Sequence, residues 1–170
     1  MRTKTRKIAL LGVLTSVALV LSYLEAMLPP ISTAVPGIKM GLPNIIIIFV
    51  LYKFGIKEAT TVSLIRVFIV SLLFGNVMTL AYSVAGAVLS ILLMTIMIKS
   101  DLFSTIGVSI VGGISHNLGQ ILVAIFLFDT IQIGYYMIVL AVTGTIAGVV
   151  IGIIASILIN KISVNKLFNF

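Results

Sequence analysis

Residues 133–159 read IGYYMIVLAVTGTIAGVVIGIIASILI, twenty-seven consecutive positions without a charged side chain. A helix rises about 1.5 Å per residue, so about 20 apolar residues cross the hydrocarbon of a bilayer. The run reads as a transmembrane helix, and the rest of the chain repeats the pattern. Residues 8–28 are a first span, broken only by Glu25 near its end. Residues 42–52 are a second, 58–75 a third that contains Arg66, 77–98 a fourth and 103–128 a fifth. With 133–159 as the sixth, the reading is an all-α integral membrane protein: one transmembrane domain over residues 1–170 with six transmembrane helices. The second run is too short for a comfortable crossing and must tilt, start inside a cavity, or lean on its neighbours. Lys53 to Lys57 reads as a tight turn. The segment PPISTAVPGIKMG (29–41) reads as a loop, and all four prolines of the chain fall in it or at its edge.

Composition agrees. Of 170 residues, 61% are hydrophobic and only 9% charged, and the mean hydropathy is +1.33. Soluble domains carry about 25% charged residues. A soluble fold built from this chain would expose long Ile, Leu and Val runs and aggregate. The absence of cysteine excludes disulfides, thiolate catalysis and Cys-based metal sites. A lone histidine, His116, excludes a histidine-rich metal centre within one chain.

The net charge of +7 reads as topology rather than nucleic-acid binding. With the N-terminus MRTKTRK in the cytoplasm, alternation of six spans puts Arg2, Lys4, Arg6, Lys7, Lys53, Lys57, Lys99, Lys161 and Lys166 inside. Only Lys39 falls outside and only Arg66 in the bilayer. This is the positive-inside bias, and it predicts both termini in the cytoplasm. Without the short second span, Lys99 and the C-terminal lysines would fall outside. The N-terminal order, basic then apolar, also matches a secretory signal. Further spans follow it, so the first helix is expected to be a retained start-transfer span.

Polar side chains inside these spans carry the functional signal. Arg66 sits near the middle of its span, where arginine costs about 2.5–3.5 kcal/mol on insertion scales. It is expected to face a cavity; the competing readings are a structural ion pair with Glu25 or snorkelling. In the fifth span, the spacing of His116, Asn117 and Gln120 brings them to one side of a helix. Gly112, Gly113 and Gly119 around them leave room for a ligand or for another backbone. Such side chains must be satisfied by protein, water or ligand, and the competing reading is interhelical hydrogen bonding. Asn44 adds a polar group at the start of the second span. The candidate substrate-binding set is Arg66, His116, Asn117, Gln120, Asn44 and Lys39.

Small residues recur four apart in the sixth span, at Gly144, Gly148, Gly152 and Ser156. That stripe is expected to be internal packing. Gly12 and Ser16 form a shorter stripe in the first span, and their position leaves open whether a partner protein meets it. There is no GxxxxGK[ST] phosphate loop and no aspartate-rich diphosphate motif. The four acids, Glu25, Glu58, Asp101 and Asp129, lie at expected membrane edges. No catalytic residue, metal or cofactor is expected, and the chain does not read as an enzyme.

The segments KMGLPNIIIIFVLYKFGIKEA (39–59), LIRVFIVSLLFGN (64–76), YSVAGAVLSILLM (82–94) and GGISHNLGQILVA (112–124) together resemble the heptaprenyl diphosphate synthase component I family, also called Gx transporters. The resemblance covers nearly the whole chain, and Arg66 and His116-Asn117-x-x-Gln120 are its most specific parts. That family is similar to the substrate-binding S components of energy-coupling factor (ECF) vitamin transporters. The resemblance implies a six-helix S-component-like bundle in the bacterial plasma membrane that captures a small molecule from outside; Arg66, His116 and Lys39 favour an anionic or acceptor-rich one. It further implies docking on a transmembrane coupling subunit driven by two ATPases. S components meet that subunit through an AxxxA-like pattern on the first helix; here Gly12-x-x-x-Ser16 is the nearest match, with Ala9 one turn earlier. By the same analogy the loop 29–41, stiffened by Pro29, Pro30 and Pro36, is expected to act as a lid, with Lys39 facing outward. The runner-up is a non-catalytic membrane partner of a prenyl diphosphate synthase in quinone biosynthesis.

Overall fold

The computed structural model describes residues 2–27 and 41–162, and these are helical apart from short connections. Six α-helices follow one another: α1 Arg2–Met27, α2 Asn44–Phe54, α3 Ile56–Phe74, α4 Val77–Ser100, α5 Thr105–Phe128 and α6 Tyr136–Lys161. Among the described residues there is no strand. Two boundaries differ from the sequence reading by more than two residues. The first helix starts at Arg2, because the basic segment simply continues it. The expected start of the sixth span, 133–135, instead belongs to a 3₁₀ turn, Ile131–Tyr135, that leads into α6.

The connections are made by local chemistry. Between α2 and α3 only Gly55 lies outside helix, with φ 101°, a region that disfavours any Cβ. The expected five-residue turn is thus a single left-handed glycine. Asn76 opens α4 with a capping box, accepting from the Thr79 N–H while the Thr79 hydroxyl accepts from the Asn76 N–H. Ser104 caps α5 by accepting from Gly107 N–H. Each cap satisfies backbone donors left over at a helix start.

The outer surface is apolar. Phe126 is 84% exposed, and Val77 and Leu102 are each 82% exposed. Water would not tolerate that surface; lipid does. Lys4–Met27, Val77–Ser100, Thr105–Phe128 and Ile131–Lys161 are long and apolar enough to cross a membrane. Helix α3 is less apolar, since it carries Lys57, Glu58 and Arg66. The protein is a multi-pass membrane protein.

Helix α2 is the centre of the bundle, with Ile45 through Leu51 all buried against α1, α3 and α6. A helix apolar on every side is stable only when surrounded. Its 11 residues span only about 16 Å, roughly half the hydrocarbon thickness. The short segment therefore leans on its neighbours, and beyond its N-terminal end the described residues leave the bundle unfilled.

Helices α4, α5 and α6 pack antiparallel with little side chain between them. A Cβ on Gly148 would lie 2.6 Å from Ile110 Cα, one on Gly152 2.7 Å from Ile106 Cα, and one on Gly113 2.9 Å from the Gly144 carbonyl oxygen. The sixth-span stripe is internal packing against α5. A Cβ on Gly119 would meet the Ala85 and Gly86 backbone at 2.8 Å, so the room around the fifth-span motif goes largely to neighbouring helices.

Candidate functional site

The space that α2 leaves open is a cavity of about 330 Å³, at the small end of ligand pockets, which run to roughly 300–1,000 Å³. Its floor is closed by buried residues: Ile48 on α2, Val67 on α3, Met94 on α4, Ser109 on α5 and Ile151 on α6. Its other end lies among Ala26, Phe74, Gly75 and Thr79, which are exposed. That is the end where α1 and α3 finish and α2 and α4 begin. The opposite end of the bundle carries the Lys7–Glu58 ion pair between the starts of α1 and α3, together with Lys53, Lys57, Lys99 and Lys161.

Five of the six residues expected to bind substrate line this one cavity: Asn44, Arg66, His116, Asn117 and Gln120. Lys39 and all of the expected lid (29–41) but Gly41 lie outside the described residues. On α5 the stripe from Ser109 through Gly112 and His116 to Gln120 faces the cavity, a length of about 16 Å along the helix axis.

The individual side chains differ in what the fold already asks of them. Asn117 donates from Nδ2 to the Leu140 carbonyl at 2.9 Å, so part of its amide ties α5 to α6. His116 packs against α4 at Gly86, where an added Cβ would come within 3.0 Å of the ring; glycine there makes room for the imidazole. Arg66 points into the cavity, and its Nε is buried without a hydrogen-bond partner. The ion pair with Glu25 considered from sequence is not closed within 4.0 Å. Ser109 Oγ is a second buried polar atom without a partner, and it lines the same cavity. Buried donors are nearly always satisfied, and these two atoms have no partner among the described residues.

Sequence reasoning missed the hydroxyls. Ser22, Ser71, Ser83, Ser90 and Ser109 line the cavity from α1, α3, α4 and α5. Single serines occur in many membrane helices, and no spacing within one helix reveals that four helices aim theirs at one point. Ser90 donates to the Gly112 carbonyl at 2.8 Å and Ser22 to the Ala18 carbonyl at 2.8 Å. Both keep lone pairs for a ligand donor. Glu25 was read only as a partner for Arg66; it also lines the cavity and accepts a hydrogen bond from the Gly41 N–H.

The first-helix residues Ala9, Gly12 and Ser16 are all exposed. A Cβ on Gly12 would meet nothing within 4 Å. With Val13, Val17, Val20 and Leu21 they form a shallow groove on the outer face of α1.

No curated protein and no solved structure matches the chain. A family model described as heptaprenyl diphosphate synthase component I matches residues 14–158, which takes in the whole cavity stripe of α5, Arg66 and Ser16; Ala9 and Gly12 precede it. The resemblance read from the sequence segments and the matched family coincide, and the chain belongs to the heptaprenyl diphosphate synthase component I family.

Proposed function

We propose that the protein is the substrate-binding membrane subunit of an ECF-type importer, capturing a small molecule in the cavity beside α2 and delivering it with the help of a coupling subunit and two ATPases. The observation that carries this reading is the one-sided cavity: polar walls from five helices, two unsatisfied buried polar atoms and buried side chains lining its inner end. Such a cavity binds but does not conduct, so transport requires a partner that moves the subunit. The open stripe Ala9, Gly12 and Ser16 supports a partner surface on α1, since small residues allow close helix approach. Arg66 is the anchor for an anionic or acceptor group, through the five donors of its planar fork. The protein itself is non-catalytic in this reading.

The family description favours a second reading, a non-catalytic membrane partner of a prenyl diphosphate synthase. Affinity purification from native membranes separates the two. Recovery of a transmembrane protein with two ATPases supports the importer; recovery of a soluble prenyl synthase without ATPases supports the alternative and defeats the importer.

The orientation belongs to the same proposal: six crossings in the bacterial plasma membrane, both termini cytoplasmic and the cavity mouth outward. It follows from the cation-rich end lying opposite the mouth. Single cysteines at Thr3, Ser32, Ser100 and Asn165, tested in intact cells with an impermeant thiol reagent, are expected to react only at Ser32. Labelling at Asn165 would defeat the six-crossing arrangement.

A further inference from the structure

Among the described residues, two opposite charges line the cavity without closing an ion pair. Glu25, near the end of α1, and Arg66, on α3, both line it. Glu25 acts electrostatically on Arg66, yet no contact within 4.0 Å joins them; the ion pair found among the described residues, Lys7–Glu58, lies at the other end of the bundle. The Glu25 carboxylate is engaged by the Gly41 N–H at the approach to α2, while Arg66 Nε has no partner. A purely anionic ligand would pair with Arg66 and leave a second negative charge beside Glu25 as it displaces water from the pocket. A purely cationic one would do the reverse. Removing water from a charge without supplying a partner is strongly unfavourable, so a ligand that matches only one of the two groups binds poorly.

We infer that the cavity takes an amphoteric small molecule, one that presents an anionic or acceptor group to Arg66 and a cationic or N–H donor group to Glu25. A zwitterion with carboxylate and ammonium groups has this chemistry, as does a neutral molecule with a carbonyl beside an N–H. The inference rests on the substrate-capture reading and narrows it: the ligand is not simply an anion.

The chain has no cysteine, so Ser83→Cys on the α4 wall of the cavity places one reporter there. The full-length purified protein is treated with an anionic methanethiosulfonate (the ethylsulfonate) or its cationic trimethylammonium counterpart, and the mass shift is followed in time. The anion-to-cation rate ratio is normalised to that for free 2-mercaptoethanol. The expected ratio is within about threefold of one; Glu25→Gln raises it about tenfold, and Arg66→Gln lowers it about tenfold, because each removes one side of the local field. Glu25→Asp and Arg66→Lys keep the charges and leave the ratio in place. A ratio already strongly anionic and unmoved by Glu25→Gln overturns the amphoteric assignment while leaving an anion site. Movement with the charge-conserving variants overturns it too, as a packing effect. No reaction with either reagent, when the same cysteine reacts in unfolded protein, defeats the substrate-capture reading instead. Only monodisperse material is scored, and if Arg66→Gln does not fold, the Glu25→Gln arm decides alone.

Discussion

Arg66→Ala is expected to abolish substrate capture while leaving the protein inserted and monodisperse. Arg66 borders a cavity rather than lipid, and its Nε makes no hydrogen bond within the described structure. Its removal therefore breaks no hydrogen bond or ion pair of the described structure. A hydrogen bond to a charged group contributes about 1.5–3 kcal/mol, and a bidentate pair forms two, so loss of the guanidinium should weaken binding by about a hundredfold or more. The measurement is native mass spectrometry of the small molecule retained through purification, paired with uptake by cells. Arg66→Lys should also be poor, since an ammonium cannot reproduce the planar fork. If Arg66→Ala unfolds the protein but surviving material still retains the molecule, the arginine is structural.

The second large effect separates two stripes of small residues that look alike in sequence. Gly148→Ala should lower the melting temperature, because its Cβ would sit 2.6 Å from the Ile110 Cα and α6 would have to move away from α5. Overpacking of this kind costs about 1–3 kcal/mol, which for a chain of this size corresponds to roughly 2–12 °C. Gly12→Leu should leave the melting temperature unchanged, because nothing lies within 4 Å of that position. Instead it should prevent co-purification with the coupling complex and abolish uptake. Thermal unfolding followed by size-exclusion chromatography reads the first effect, and pull-down reads the second. A destabilised Gly12→Leu, or one that still assembles and transports, removes the α1 face from the proposal.

Much of the helical framework was legible because the bilayer imposes simple rules. Charge-free runs of sufficient length must be helices, since lipid offers no partner for unpaired backbone groups. The breaks fall at residues that stop or cap helices: Gly55, Gly75-Asn76 and the segment ending at Ser104. The candidate site was legible only where a polar side chain was anomalous against its apolar surroundings. Arg66 and the group His116, Asn117 and Gln120 stand out in that way, and the fold places them around one cavity. The serines and Glu25 do not stand out, because a lone hydroxyl in a membrane helix or an acid at a helix end is ordinary.

The sequence by itself determined that this chain lives in a membrane, roughly where its helical runs break, and to which family it belongs. Those properties follow from local composition and from the length a bilayer demands. Only the tertiary structure decided that the short second helix is buried from Ile45 through Leu51 and borders a cavity at its end. The same holds for Gly148, which packs against Ile110 while Gly12 faces open space, and for Glu25 sharing the pocket of Arg66 without closing an ion pair. The reason is physical: apolar surface is compatible with lipid on every side, so periodicity carries little information about which face of a membrane helix meets protein. That choice is made by close packing between helices, which depends on residues far apart in the chain.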